Sequence, residues 1–154
     1  MGLFVPQSEL KKNIEKLKSL GPLVFTNGCF DLLHIGHIQY LKQARVLGAS
    51  LVVGINSDDS VKKLKGPQRP IQNEKDRAEI LAALESVSLT VIFNEDTPEK
   101  LIQQIKPDIL VKGGDWKIEQ IVGADFVQSY GGKVRSLQFV ENRSTTKIIE
   151  KSKT

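Results

Sequence analysis

The only two histidines in this 154-residue chain, His34 and His37, fall within four consecutive residues. They close the run Asn27-Gly28-Cys29-Phe30-Asp31-Leu32-Leu33-His34-Ile35-Gly36-His37, which follows the apolar stretch Leu23-Val24-Phe25 and precedes a helical pattern from about Ile38. A strand that ends in a glycine-containing loop and feeds a helix is a natural seat for phosphate. Unpaired backbone N–H groups and the positive end of the helix dipole converge there. Two imidazoles at that point add directional donors, suited to charge that builds on phosphoryl oxygens during transfer. Gly36 is expected to let the phosphate approach the backbone. The competing reading is structural, with His34 capping its helix and His37 satisfied locally.

These residues need a scaffold, and the apolar periodicity outlines one. Leu10, Ile14, Leu17 and Leu20 predict a leading helix over 8–20, ended by Gly21-Pro22. Strands are expected at 23–26, 51–55, 89–93, 109–111 and 134–139. Helices are expected from Gly36 to Leu47, after Ser57, from Asn73 to about Leu84, after Thr97-Pro98, around Phe126 and after Ser144. Asn73 with Asp76 resembles a capping box, and Pro98 suits the first position of a helix. Five strands alternating with helices predict a Rossmann-like, doubly wound α/β parallel sheet in one domain over 1–154, with 1–20 as the leading helix. Ligands in such sheets bind beyond the carboxyl ends of the strands, where the strand order reverses. The polar segments after strands one, two, four and five should therefore meet in space.

Bulk properties narrow the class. Apolar content of 40% and charged content of 26% are ordinary for a soluble globular protein, and no run is long enough to span a bilayer. The N-terminus lacks the plan of a signal peptide, and a single cysteine excludes an internal disulfide and a cysteine-rich zinc site. A cytoplasmic location is expected. The net charge of +4 is spread over Lys11, Lys12, Lys16 and Lys18, over Lys62, Lys63 and Lys65, and over Lys147, Lys151 and Lys153. No aromatic residues interleave with these to stack bases, so small anionic substrates are expected rather than nucleic acid.

The run ending in His34-Ile35-Gly36-His37 resembles the signature of the nucleotidyltransferase superfamily marked by H-x-G-H. Five other segments narrow the resemblance: Asn56-Ser57-Asp58, Leu64-Lys65-Gly66 with Arg69-Pro70, Glu95-Asp96-Thr97-Pro98, Val111-Lys112-Gly113-Gly114-Asp115-Trp116 and Ser144-Thr145-Thr146-Lys147-Ile148-Ile149. From about Leu10 onward the chain closely resembles the adenylyltransferase domain of the bifunctional bacterial enzymes that make ADP-heptose. The sugar-kinase domain that often precedes it is absent, so a stand-alone form is expected. The resemblance implies ATP and D-glycero-β-D-manno-heptose 1-phosphate as substrates, pyrophosphate and ADP-heptose as products, magnesium as cofactor, and a homodimer.

The same resemblance implies roles. His34, His37 and Lys65 would be catalytic, the histidines holding the triphosphate and the lysine reaching across the reacting phosphates. Gly28, Cys29, Phe30 and Gly36 would bind the nucleotide from the first loop, and Lys112, Gly113 and Asp115 from the turn after the fourth strand. Ser144, Thr145 and Thr146 would meet the β- and γ-phosphates at a helix N-terminus, a placement that capping chemistry also favours. Asp31, Arg69 and Arg77 would bind the acceptor, Arg77 through a guanidinium fork on its phosphate. Against these stand plain readings: a solvated Lys65, a helix-surface Arg77, Asp115 as a cap and Trp116 as core. No acidic cluster marks magnesium ligands.

Other activities remain as alternatives. A cytidylyltransferase for glycerol 3-phosphate or a related alcohol phosphate typically carries R-T-E-G before I-S-T-T, where this chain reads Val140-Glu141-Asn142-Arg143 before Ser144. A pantetheine-phosphate adenylyltransferase fits the N-G-C-F-D and K-G-G-D segments poorly. A class I aminoacyl-tRNA synthetase would be longer and carry a K-M-S-K-S-like loop. A Cys29–His nucleophilic pair is unnecessary if the acceptor phosphate attacks ATP directly. A non-catalytic nucleotide-binding module would not need both histidines, Lys65 and the Ser-Thr-Thr segment.

Overall fold

The strands of the computed structural model, which describes residues 2–138 and 144–153, are β1 (Leu3–Phe4), β2 (Leu23–Gly28), β3 (Ser50–Asn56), β4 (Leu89–Phe93), β5 (Ile109–Gly113) and β6 (Lys133–Leu137). The helices are α1 (Leu10–Lys18), α2 (Ile35–Arg45), α3 (Asp58–Lys65), α4 (Glu74–Ala82), α5 (Glu99–Ile105), α6 (Ala124–Ser129) and α7 (Thr145–Ser152). The strands form one sheet in the order β1-β4-β3-β2-β5-β6, and each neighbouring pair is parallel.

Burial explains why the centre of the sheet is apolar. Every residue of β3 is buried, as expected for a parallel strand covered on both faces. The two faces are sorted by the alternation of side chains along each strand. Leu23, Phe25, Val52 and Val91 pack with Leu10 and Ile14 of α1 and with Leu101, Ile102 and Ile105 of α5. Val24, Leu51, Val53 and Ile55 pack with Tyr40, Leu41 and Ala44 of α2 and with Ala78 and Leu81 of α4.

The sheet has six strands rather than five. The addition is β1, whose Leu3 and Phe4 pair with Leu89 and Thr90 at the sheet edge. Two residues carry no periodicity, so nothing in the sequence marks them. The leading helix opens as a 3-10 turn over Gln7–Glu9 and becomes α-helical at Leu10. Ser57 and Ser144 cap α3 and α7 as expected, accepting from the backbone N–H of Ser60 and Lys147. Asn73 caps α4 by accepting from Asp76 N at 2.8 Å. The Asp76 carboxylate returns to the Asn73 side chain at 3.2 Å rather than to its backbone, because Asp is a methylene shorter than Glu. Pro98 is the N-cap of α5 instead of its first helical residue. The last strand ends at Leu137. Phe139, and the 140–143 segment that departs from the cytidylyltransferase pattern, lie outside the described residues.

From β2 the chain winds outward through β3 to β4, then crosses back to place β5 on the other side of β2. The connections after β2 and β5 therefore leave the sheet on opposite faces, and a crevice opens between them. Among the described residues no helix is long and apolar enough to cross a membrane. The packing has a direct test in urea denaturation. Ile102→Ala, at 0% exposure, should cost about 2–5 kcal/mol. Val46→Ala, at 79% exposure, should change stability by no more than about 0.5 kcal/mol.

Candidate active site

The first turn of a helix has N–H groups without intrahelical partners, and in α2 the two histidines supply acceptors. His34 is the N-cap, extended at φ −138° and ψ 173°, and its Nδ1 accepts from Gly36 N at 3.1 Å. His37 returns the favour, its Nδ1 accepting from His34 N at a longer 3.4 Å. This reciprocal cap leaves the rings stacked, with centroids 3.8 Å apart and planes 28° from parallel. An imidazole whose Nδ1 accepts carries its proton on Nε2 when neutral, so the tautomer follows from the hydrogen bonds. Burial, and then the proximity of His34, push the His37 pKa down to about 4, and His37 is uncharged at neutral pH. The structural and chemical readings of the pair thus coincide: the cap is what orients the Nε2–H donors.

Behind the histidines, residues 29–31 form an irregular loop that leaves β2. Phe30 has a left-handed backbone, φ 48°, uncommon for a residue with a side chain. Its ring meets His37 edge-on at 5.2 Å. Gly28 makes room for it, since a Cβ there would stand 2.8 Å from Phe30 Cε2. Asp31 is 2% exposed. Its carboxylate accepts from Arg69 Nε at 2.7 Å, from Ile71 N at 2.9 Å and from Gln72 N at 3.0 Å. Burial alone would raise its pKa, but the amides of Gln72 and Ile71 and the Arg69 guanidinium outweigh it and hold the carboxyl below its usual range. Asp31 borders the crevice, yet its oxygens are committed to the protein.

A cavity of about 670 Å³ occupies the crevice where the strand order reverses. His34, His37, Gly28, Cys29, Phe30 and Asp31 line it from the β2 side, and Lys112 and Gly113 from the β5 side. Lys65, Arg69, Ser144, Thr145 and Thr146, also expected, line it as well. Lys65 is the exposed last residue of α3. Thr145 Oγ1 donates to Leu32 O at 2.7 Å, tying the start of α7 to the loop that precedes α2. Lys112 is half-buried, its pKa lowered by that burial, and its Nζ stands 5.4 Å from the centre of the Trp116 ring. Trp116 borders the cavity too, steered there by Nε1–H donating to Gly113 O at 3.1 Å.

Three expected site residues lie elsewhere. Arg77 does not reach the cavity: it is 1% exposed and spends its donors on Gln72 O, Cys29 O, Asn56 O and Asp58 Oδ1 at 2.8–2.9 Å. No part of its fork is presented to a substrate phosphate. Gly36 is buried in the first turn of α2, where its N–H serves His34 rather than an incoming anion. Asp115 is exposed outside the cavity, because Gly114 at φ 111° turns the chain and brings Trp116 back instead. Nor does Asp115 cap the next helical turn, whose N-cap is Lys117. Cys29 lines the cavity, but burial pushes its thiol pKa up despite the positive charge of Lys65, Arg77 and Arg69. That is opposite to the tuning of a nucleophile.

The cavity also contains residues that sequence reasoning assigned no role: Asn27, Tyr40, Asn56, Asp96 and Thr97. Tyr40 was findable, since it follows His37 by three positions on one helix face. Asn56 ends β3 and Thr97 lies in the loop after β4, the positions that the crevice rule singles out. Among the described residues no group of three or more His, Cys, Asp or Glu side chains is placed to hold a metal ion.

The profile of the cytidylyltransferase-like family matches residues 25–151. The bifunctional protein HldE of Geotalea uraniireducens (strain Rf4) is 54% identical over 97% of this chain and 32% of its own length. The bifunctional protein HldE of Ectopseudomonas mendocina (strain ymp) is 60% identical over 84% of this chain and 27% of its own length. The chain thus spans about a quarter to a third of the length of these curated relatives. A solved lipopolysaccharide core biosynthesis protein from Thermoplasma volcanium GSS1 superposes with a TM-score of 0.62 at 29% identity, covering 80% of this chain and 99% of that one. The pantoate-β-alanine ligase of Francisella tularensis shares the fold, with a TM-score of 0.57 at 16% identity over 99% of this chain and 77% of that one. With a family match across most of its length and a histidine pair set at the sheet's reversal point, the chain belongs to the cytidylyltransferase-like family of nucleotidyltransferases.

Proposed function

We propose that this protein is an adenylyltransferase that joins ATP to D-glycero-β-D-manno-heptose 1-phosphate. The observation that carries the chemistry is the reciprocal cap, which turns two stacked imidazoles into Nε2–H donors at a cavity. The choice of substrates rests on the motif resemblance to ADP-heptose-forming domains, on the HldE relatives and on the lipopolysaccharide core biosynthesis neighbour.

In this reading an oxygen of the sugar phosphate attacks the α-phosphorus of ATP. The bond from that phosphorus to the bridging oxygen breaks, and pyrophosphate leaves with the electron pair. The histidines donate to the triphosphate as its charge shifts, an effect strongest where the donors are already oriented. From the opposite side, residues Thr145 and Thr146 open α7, where first-turn N–H groups have no partner inside the helix. Lys65 and Lys112 border the same space with positive charge. The Lys112–Trp116 segment, at the mouth of β5, is the platform for the nucleotide base. Magnesium, carried by the triphosphate, would supply neutralisation of part of its charge. Asp31 is committed to Arg69 and two amides, and such ions commonly take few protein ligands beside substrate phosphates. The protein is expected to act in the cytoplasm and to form a homodimer.

A pyrophosphate-release assay tests the reading. ATP with heptose 1-phosphate should give turnover, and release from CTP with glycerol 3-phosphate but not from the first pair would replace it with the cytidylyltransferase alternative. His34→Ala and His37→Ala should each lower kcat on the order of 10²–10³-fold. Stability carries a separate signature of the buried imidazole. The His37 pKa is about 4 in the folded chain against 6.5 ordinarily. As pH falls from 6.5 toward 4, the unfolded chain takes up a proton that the native one refuses. The contribution is therefore complete above pH 6.5 and is lost as pH falls through that window. The denaturation midpoint should drop less between pH 7 and about pH 4.5 in His37→Asn than in the wild type.

A further inference from the structure

We propose that Arg77 and Asp31 are positioning residues: together they clamp the two flanks of Phe30, hold its left-handed backbone, and so set the ring that packs against His37. This deepens the reading of His37 as a phosphate donor and rests on it.

Consider the geometry on each side of Phe30. On its N-terminal side the Cys29 carbonyl accepts from Arg77 Nη1 at 2.8 Å, and this fixes the peptide plane that enters Phe30. The same Nη1 donates to Asn56 O at 2.8 Å, at the end of β3, so the turn is referenced to the sheet. Arg77 Nη2 donates to Asp58 Oδ1 at 2.8 Å in the first turn of α3, the helix that ends in Lys65. On the C-terminal side Asp31 accepts from Arg69 and from the amides of Ile71 and Gln72, while its own carbonyl accepts from Gln72 Nε2 at 3.0 Å.

The two flanks are joined through one residue. Gln72 gives its N–H to Asp31 and its carbonyl to Arg77 Nε, so the segment 69–72 bridges the clamp from behind. Both charged groups are almost fully buried, at 1% for Arg77 and 2% for Asp31. A left-handed backbone is strained for a residue with a Cβ and persists only where the surroundings over-determine it. Here these two side chains hold the flanking peptides while the ring packs into the core beside Gly28. The consequence falls on His37, whose ring centroid lies 5.2 Å from that of Phe30 in an edge-to-face contact.

The test uses protein labelled with ¹⁵N-histidine, in which only two imidazoles give signals. Arg77→Lys keeps the charge but loses the fork, and Asp31→Asn keeps the shape but loses acceptor strength. Each should move the His37 imidazole resonances. The same substitutions in a Phe30→Gly background, where a positive φ carries no strain and no ring touches His37, should move them much less. Equal shifts in both backgrounds, or none in the first, would overturn the proposal. A variant that fails to fold is read by denaturation. Folding recovered in the Phe30→Gly background supports the clamp, and failure in both backgrounds refutes it. With an active wild type, Arg77→Lys should lower kcat on the order of 10²-fold by misplacing the donor, with KM for either substrate changed less than about twofold. A raised sugar-phosphate KM at unchanged kcat would instead make Arg77 a substrate ligand. Absence of turnover in the wild type refutes the substrate reading alone, because the resonance coupling is measured without substrate.

Discussion

An arginine removed from water must spend its N–H groups on the protein, and where it spends them decides which segments are held in common. Arg77, on α4, donates to the carbonyls of Cys29, Asn56 and Gln72 and to the Asp58 carboxylate. Those acceptors belong to the loop after β2, the end of β3, the approach to α4 and the start of α3. A buried charge with all these partners is costly to disturb at any one of them. The crevice wall is therefore a single bonded unit rather than loops that happen to adjoin. Asp31 repeats the device with opposite charge a short distance away, tying the histidine loop to residues 69–72.

On that wall the histidine pair solves two problems with one set of bonds. The start of α2 needs acceptors for its first-turn amides, and the Nδ1 atoms of His34 and His37 provide them. Because that use consumes Nδ1, the proton of each neutral ring sits on Nε2. Burial then keeps His37 neutral, which preserves a donor while avoiding a buried charge. A helix cap, commonly treated as a stability device, here sets the tautomer of two imidazoles at the cavity. The start of α7 faces the same cavity and is anchored to the loop before α2 by Thr145. Two helix N-termini thus border one cavity, an arrangement suited to a substrate with several phosphates.

Much of the architecture was legible because it follows from local rules. Apolar runs buried on both faces gave the central strands, Ser57, Asn73 and Ser144 marked helix starts by their capping chemistry, and glycine or proline marked the breaks between elements. β1 was not legible, since two residues at a sheet edge have no period and acquire their conformation only from Leu89 and Thr90. The expected site residues assembled largely as the crevice rule requires, from segments separated by more than a hundred positions. The errors have two causes, because a motif gives only position along the chain. The Arg77 side chain and the Gly36 amide are already claimed by neighbouring groups, whereas Gly114 turns the chain so that Asp115 faces solvent.

The sequence by itself determined the kind of fold, the order of its central elements and the types of group that gather at one sheet edge. Those properties depend on periodicity, capping and connection length, which are written locally. Tertiary structure decided which of these groups are available. Whether an arginine faces substrate or three carbonyls, whether a carboxylate is open or already accepts three donors, and which nitrogen of an imidazole keeps its proton all depend on atoms contributed from distant parts of the chain. Hydrogen-bonding capacity is finite, and a group whose capacity is used inside the protein cannot offer it to a ligand.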